Sequence, residues 1–300
     1  MSAWEPGPGF LFCPADRPER YAKALERSDV VILDLEDAVA EPAKEAARAA
    51  VRQLAADGVL DPDRTVVRVN AAGTAHLAAD LALTAATGVR RVMLPKAERP
   101  AEVAAVVAAG HDVLCLVETP RGVEHAGVLA EVPGVVAMMW GADDLVAGLG
   151  GTASRRADSS YRDVVRYARS RVLVAAKAAE RLALDGVHMD IADTDGLRAA
   201  CEDAVAVGFD AGVAIHPSQV PVIREAFAPD AERVAWARDL LAAHAAGGVG
   251  THGGRMVDGP IYAQARRVLR LAERGATGET SATVEIGESG DHREGTTSDG

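Results

Sequence analysis

The stretch "VVILDLEDAV", residues 30–39, joins the pattern of a buried strand to a group of acids. Its apolar run, residues 30–33, suits a strand that is covered on both faces, as in a parallel sheet. Asp34, Glu36 and Asp37 follow at once, although neighbouring carboxylates repel one another and resist desolvation. The sequence therefore predicts either that the strand ends in solvent or that a positive group lies between the acids.

Short apolar runs of the same kind recur along the chain, and each is followed by residues with helical periodicity. The predicted strands are residues 10–13, 30–35, 65–70, 91–95, 113–118, 135–141, 186–190 and 212–216. Strands that alternate with helices in this way favour an α/β fold, a (β/α)8 TIM barrel. The predicted helices include residues 17–27, 41–56 and a long one near 160–182, preceded by an ordered loop or lid at 148–160.

The chain continues beyond the last predicted strand, which suggests three parts. We predict a catalytic barrel domain over residues 1–229, a C-terminal helical extension over 230–275 and a disordered tail over 276–300. Within the extension, a loop at residues 248–260 should separate two helices.

Composition limits the classes of partner. The chain has 300 residues, 49% of them hydrophobic, and a formal net charge of −12, so a nucleic-acid or anionic-membrane partner is not expected. Cys13, Cys115 and Cys201 are far apart and odd in number, which is typical of reduced core thiols. The sequence contains no run of about 18 apolar residues and no signal-peptide pattern, so we expect a cytoplasmic protein.

Polar residues stand where the predicted strands end. In chain order they are Asp34, Glu36, Asp37, Arg68, Asn70, Pro95, Lys96, Glu118, Asp143, Asp144, Asp190 and His216. TIM-barrel enzymes build their active sites on this carboxyl-terminal face of the strands. Glu118 and Asp144 would come from adjacent strands, and two carboxylates with water and substrate oxygens are a common Mg²⁺ site. The alternative is that these acids cap the helices that follow each strand.

Three further residues each allow two interpretations. Arg68 could bind a substrate carboxylate through its two-pronged guanidinium group, or it could neutralise the acids. Lys96 could be a Schiff-base lysine, or an ion-pair partner of Glu98 or of the acid cluster. His216 could be a general base, but the following Pro217 and Ser218 favour a position at the entry of a helix.

Several motifs together carry a family resemblance. In order, they are "LFCPADRPER", "VILDLEDAV", "RVN", "LPKAE", "VETPRG", "WGADDL", "GFDAGVAIHPSQV" and "GRMVDGP", over residues 9–273. The chain thus resembles the citrate lyase β-subunit-like proteins of the HpcH/HpaI aldolase superfamily, and within them the stand-alone 3-hydroxyacyl-CoA lyases. It departs from the common family pattern at Ala15, Pro120 and Asp143.

The resemblance implies a modified TIM barrel, usually a homotrimer, that uses Mg²⁺ to cleave 3-hydroxyacyl-CoA thioesters into acetyl-CoA and a keto acid. It makes Glu118 and Asp144 the metal ligands and Arg68 the binder of the substrate carboxylate. Arg17, Arg20 and Pro95 are expected near the substrate. Asp258 would be delivered to a neighbouring subunit's site as a catalytic acid or base.

The remaining acids and Lys96 would then form an outer layer around the metal and Arg68. Asp34, Glu36 and Asp37 would hold metal-bound waters or orient their neighbours, and the cation and Arg68 would offset their repulsion. Candidate substrates are (3S)-3-hydroxy-3-methylglutaryl-CoA, citramalyl-CoA, malyl-CoA and citryl-CoA. Two other functions stay open: a Schiff-base aldolase that uses Lys96, and a non-catalytic CoA-ester-binding subunit.

Overall fold

The strand formed by the stretch quoted first lies between two parallel neighbours, which explains why it is buried along its whole length. In the computed structural model, which describes residues 4–245 and 248–280, β2 (Val30–Asp34) pairs with β1 (Gly9–Pro14) and β3 (Thr65–Arg68). The register sets Asp34 opposite Arg68 at the carboxyl end of this pair.

The remaining strands continue the parallel pattern until the sheet closes on itself. They are β4 (Arg91–Leu94), β5 (Asp112–Val117), β6 (Val135–Trp140), β7 (Leu182–Asp185) and β8 (Ala211–Ala214), and β8 pairs with β1. The predicted (β/α)8 TIM barrel is therefore confirmed.

Helices cover the outside of the barrel. They are α1 (Tyr21–Arg27), α2 (Lys44–Ala56), α3 (Leu77–Thr87), α4 (Pro100–Ala108), α5 (Pro120–Ala130), α6 (Asp143–Gly148), α7 (Asp163–Ala178), α8 (Thr194–Val207) and α9 (Gln219–Phe227). Pro120 is the first residue of α5, where its fixed φ suits a helix start, and Thr119 accepts a hydrogen bond from Gly122 N at 3.0 Å. The departure at Pro120 is thus compatible with a regular helix after β5.

The core has two layers, because alternate strand residues face the barrel interior and the helices. Phe10, Ile32, Met93, Leu114 and Met139 belong to the interior cluster, which is apolar and closely packed. A larger cluster of mainly Val, Leu and Ala side chains lies between the strands and the helices. The barrel interior is therefore filled by side chains and is not an open channel.

The position of the seventh strand was predicted wrongly. The prediction gave residues 186–190, whereas the strand is Leu182–Asp185, since α7 ends at Ala178 and Glu180 turns the chain with φ 56°. Both segments are apolar, so periodicity alone did not separate the end of the helix from the start of the strand. The polar residue at the end of this strand is consequently Asp185, while Asp190 is exposed in the loop beyond it.

A second compact unit begins at Pro229. It contains α10 (Ala231–Ala243), a hairpin of β9 (Gly250–His252) and β10 (Arg255–Val257), and α11 (Gly259–Thr280). The hairpin lies where a loop was predicted, and α11 extends five residues past the predicted end at 275. Of the predicted disordered tail, residues 281–300 lie outside the described residues. Across the described parts of the chain, no helix has the length and apolar character needed to span a membrane.

Two glycines of α5 provide a test of how tightly the helix packs beneath the site. A Cβ at Gly122 would lie 2.5 Å from the main-chain oxygen of Ala97, whereas one at Gly127 would contact only the flexible Arg171 side chain, at 3.5 Å. We expect Gly122→Ala to lower the free energy of unfolding by about 1–3 kcal/mol through overpacking. Gly127→Ala should raise it by up to about 1 kcal/mol through helix propensity. Urea unfolding of both variants checks this, and equal effects of the two substitutions would contradict it.

Candidate active site

The Arg68 guanidinium pairs with Asp34 at the carboxyl ends of β2 and β3. Its Nε and Nη2 donate to Asp34 Oδ1 and Oδ2 at 2.7 and 2.5 Å, and its Nη1 lies 3.1 Å from Glu36 Oε2. Asp34 also accepts hydrogen bonds from the main-chain N–H groups of Glu36 and Ala38, at 2.9 and 3.1 Å. The Asp34 carboxylate thus fixes both the turn after β2 and the orientation of Arg68.

Lys96 is the second cation among these acids. Its Nζ donates to Glu36 Oε1 at 2.6 Å and lies 3.6 Å from Asp37 Oδ2 and 3.7 Å from Asp144 Oδ1. Burial acts to lower the pKa of Lys96, but the hydrogen bond to Glu36 and the surrounding carboxylates raise it above its ordinary value. Of the two ion-pair partners predicted for Lys96, the acid cluster is the one observed, whereas Glu98 pairs with Arg121.

The turn after β2 has an internal anchor that sequence reasoning missed. The buried Lys44, from the first turn of α2, donates to the main-chain oxygens of Leu35 and Glu36, both at 2.7 Å. A lysine in the first turn of an amphipathic helix has the pattern of a surface residue. Only the hydrogen bonds of the folded turn reveal its role.

Glu118 directly follows β5, and its side chain is only 3% exposed. Its Oε1 accepts a hydrogen bond from Lys96 N at 3.1 Å, and a Cβ at Gly141 would lie 2.8 Å from its Oε2. Burial raises the pKa of Glu118 to about 8; Asp144 adds to this rise and Lys96 opposes it. The carboxylate form of Glu118 therefore requires a nearby positive charge.

Asp144 is the second residue of α6, and 43% of its side chain is exposed. The N-cap residue of this helix is Ala142, which has no side-chain acceptor, so the predicted capping role does not explain the acids at this position. Asp144 instead lies with Glu118 on the wall of the site cavity, a pocket of about 660 Å³.

The site cavity brings together four of the residues predicted for the site. Asp34, Arg68, Glu118 and Asp144 all line it. Ala153, Ser154 and Arg155 of the predicted loop at 148–160 also line it. The cavity therefore lies on the face of the barrel that the strand-end pattern predicted for the site.

One wall of the site cavity was not predicted. Trp140 donates from Nε1 to Asp185 Oδ1 at 2.7 Å, and Arg169 donates to both Asp185 oxygens at 2.9 Å. The Tyr161 ring packs edge-on against Trp140, and the Arg155 guanidinium lies 3.8 Å from the Tyr161 ring centre. Asp185 was missed because the seventh strand was assigned too late in the sequence.

Other predicted residues lie elsewhere. Arg17 and Arg20 are exposed after β1, and Pro95 is buried in the turn after β4. Asp258 belongs to the C-terminal unit, where its main-chain oxygen accepts a hydrogen bond from Tyr262 N at 3.1 Å. The His216 ring nitrogen Nδ1 lies 2.8 Å from Ser218 Oγ, at the N-cap of α9, which agrees with a helix-entry role.

The donor set of the site suits a hard divalent cation. Glu118 and Asp144 offer carboxylate oxygens, and Gly141 leaves open the space beside Glu118 that a Cβ would fill. Within the described residues, no group of three or more His, Cys, Asp or Glu side chains is arranged to hold a metal. Two carboxylates nevertheless fit Mg²⁺, which usually keeps several water or substrate ligands.

Comparison with known families identifies the chain. A model of the HpcH/HpaI aldolase/citrate lyase family matches residues 9–217. The chain belongs to this family. Membership confirms the resemblance seen in the sequence motifs, and with it the assignment of the chain as a lyase.

Relatives of this HpcH/HpaI chain span nearly its whole length. A citrate lyase subunit beta-like protein of Mycobacterium tuberculosis is 56% identical over 267 residues, which are 89% of this chain and 96% of the relative. A mitochondrial citramalyl-CoA lyase of Rattus norvegicus is 30% identical, over 87% of this chain and 85% of its own. The crystal structure of Mycobacterium tuberculosis CitE with magnesium, acetoacetate and coenzyme A superposes with a TM-score of 0.83 at 55% identity, covering 89% and 98% of the two chains.

Because Glu118 is buried, we expect that removing its charge stabilises the metal-free protein. Without metal, the folded protein binds the Glu118 proton with a pKa of about 8, against an ordinary value of 4.5, so stability decreases as the pH rises between these values. From pH 5 to pH 8 this loss is about 3 kcal/mol. Glu118→Gln removes the titration and keeps an oxygen that can accept from Lys96 N.

In EDTA at pH 8, Glu118→Gln should therefore melt at a higher temperature than the wild type, with a smaller difference at pH 5. Added Mg²⁺ should stabilise only the wild type. Calorimetry at the two pH values measures this. A variant less stable than the wild type at both would mean that Lys96 and Arg68 keep Glu118 ionised in the metal-free protein.

Proposed function

We propose that this protein is a Mg²⁺-dependent carbon–carbon lyase that cleaves a 3-hydroxyacyl-CoA thioester into acetyl-CoA and a keto acid. The observation that carries the proposal is the pair of carboxylates, Glu118 and Asp144, beside Arg68 in one cavity. The CitE relative that holds magnesium, acetoacetate and coenzyme A supports it. Acetoacetate and acetyl-CoA are together the cleavage products of 3-hydroxy-3-methylglutaryl-CoA, which we place first among the four candidate substrates.

Glu118 and Asp144 would hold the ion through carboxylate oxygens. When bound, magnesium supplies Lewis acidity that lowers the pKa of the substrate's 3-hydroxyl group. The positive charge of the ion would also serve as the counterion of the buried Glu118 carboxylate. The same ion thus supports the chemistry and stabilises its own ligand.

Arg68 would bind the carboxylate of the keto-acid portion. Asp34 already engages Nε and one N–H of Nη2, which orients the guanidinium plane. Nη1 lies 3.1 Å from Glu36 Oε2, so the substrate carboxylate would be a third anionic partner and would use the N–H groups that Asp34 leaves free. A positive group at this position also offsets the negative charge that develops as the carbon–carbon bond breaks.

Cleavage breaks the bond between C2 and C3 of the substrate. The hydroxyl proton passes to a base, the C3 hydroxyl oxygen becomes the ketone oxygen, and the bonding electrons form the enolate of acetyl-CoA. An acid then protonates the enolate carbon. We assign one of these two proton transfers to Asp258 of an adjacent subunit in a homotrimer, with Arg17, Arg20 and Pro95 near the CoA thioester.

The contacts of Lys96 favour this mechanism over a Schiff-base aldolase. A lysine must be a neutral amine to attack a carbonyl carbon. Lys96 is ion-paired with Glu36, and the neighbouring carboxylates raise its pKa above the ordinary value. Its amine therefore stays protonated.

A panel of the four thioesters, assayed with and without Mg²⁺, tests the proposal. We expect acetyl-CoA release by the wild type that requires Mg²⁺ and falls at least about 100-fold in Glu118→Ala, because the ion loses a ligand. Glu131→Gln, at an exposed acid after α5, serves as the control and should retain activity. Measuring free CoA as well separates cleavage from thioester hydrolysis.

Other results of this panel would point elsewhere. Release that is indifferent to Mg²⁺ and to Glu118, with covalent trapping by borohydride, would favour the Schiff-base aldolase. Binding of CoA esters without turnover would favour a non-catalytic binding subunit.

The proposed exchange of Asp258 between subunits predicts complementation. Glu118→Ala and Asp258→Asn should each be inactive alone, yet mixed trimers should recover up to about a third of wild-type activity. Every trimer that contains both variants has one site in three where a subunit that keeps Glu118 adjoins, in the productive direction, a subunit that keeps Asp258. Mixed oligomers isolated with two different tags provide the measurement. Mixtures without activity would place the Asp258 function within its own subunit.

A further inference from the structure

Lys96 contacts both of the carboxylates that would hold magnesium. Its main-chain N–H donates to Glu118 Oε1 at 3.1 Å, and its Nζ lies 3.7 Å from Asp144 Oδ1. One residue thus links the acid that follows β5 to the acid in the first turn of α6. Its ammonium lies close to Asp144, and its positive charge also acts at longer range on Glu118, so it acts on both carboxylates that a bound cation would use.

The backbone conformation of Lys96 is unfavourable for a lysine. Its φ of 51° lies in the left-handed region, which non-glycine residues rarely adopt, and such residues concentrate at functional sites. The surrounding contacts explain why it is tolerated here. The main-chain N–H and the ammonium group both have anionic partners in this conformation.

The Lys96 ammonium also contacts two acids that follow β2. It donates to Glu36 Oε1 at 2.6 Å and lies 3.6 Å from Asp37 Oδ2. Glu36 is 7% exposed, so the ammonium keeps a buried counterion even when another cation neutralises Asp144. A second cation at Glu118 and Asp144 would nevertheless be repelled by the ammonium.

We propose that Lys96 is a positioning residue that substitutes for the metal ion in the metal-free protein and competes with magnesium for Asp144. Lys96 holds Glu118 and Asp144 in place before the ion arrives. Its charge also weakens the binding of the ion. This inference rests on the proposed magnesium dependence of the site.

Calorimetric titration of the full-length, metal-free protein with MgCl2 tests the inference. Lys96→Met should bind Mg²⁺ about tenfold more tightly than the wild type, because the competing charge is gone. Lys96→Arg, which keeps the charge, should stay within about threefold of the wild type. Lys23→Met removes the same charge from the exposed face of α1 and should leave the affinity unchanged.

A second readout separates positioning from competition. In EDTA, Lys96→Met should melt below the wild type, since the acids lose a cation, and saturating Mg²⁺ should reduce the difference. If Lys96→Met does not fold, Lys96→Gln, with a neutral polar head, provides the same comparison.

Two results would overturn the inference. Magnesium binding by a folded Lys96→Met or Lys96→Gln that is equal to or weaker than that of the wild type would exclude competition, while leaving the proposed lyase function intact. A wild type that binds no Mg²⁺ at millimolar concentration would reject both this inference and the metal dependence of the proposed function.

Discussion

The pairing of Arg68 with Asp34 is the contact on which the site depends. Parallel register sets the two residues opposite each other, and their hydrogen bonds at 2.7 and 2.5 Å form at the carboxyl edge of the barrel. Removing either partner would leave the other charge buried with only part of its compensation, which is more costly than the loss of an exposed ion pair. Because Asp34 also accepts two main-chain hydrogen bonds, the same carboxylate shapes the turn that presents Glu36 and Asp37.

The fold tolerates the carboxylates at the end of β2 and after it because two cations lie among these acids and Asp144. Arg68 lies against Asp34 and Glu36, and Lys96 lies against Glu36, Asp37 and Asp144. Arg68 links the end of β3 to the end of β2, and Lys96, which follows β4, contacts carboxylates that follow β2 and β6, so the ends of separate strands are tied together by charge. Lys44 adds a further link, because its ammonium donates hydrogen bonds to two main-chain oxygens of the turn after β2. This network therefore contributes to the stability of the carboxyl-terminal face.

The sequence predicted the barrel and the site face well because both follow from local patterns. Each apolar run, with the polar residues at its end, can be recognised separately in the sequence. Closure of a parallel barrel then brings these ends together, independently of the loop sequences. Prediction failed where the pattern was ambiguous: at "RLALDGVHMD" two apolar segments adjoin, and the wrong one was chosen. The contacts of Lys44 and Trp140 could not be predicted either, because each depends on a partner in another element or turn that periodicity does not specify.

Burial of Glu118 has two opposite consequences. A dry carboxylate binds a cation strongly, because few waters compete for it, yet the same burial raises its pKa to about 8 and disfavours the charged form when no cation is present. The surrounding residues reduce this conflict without removing it. Gly141 leaves space beside the carboxylate, and Lys96 supplies one main-chain hydrogen bond and a nearby charge. Since Lys96 is itself shared among four acids, its charge compensates Glu118 only in part, and the site retains a driving force to take up a second cation.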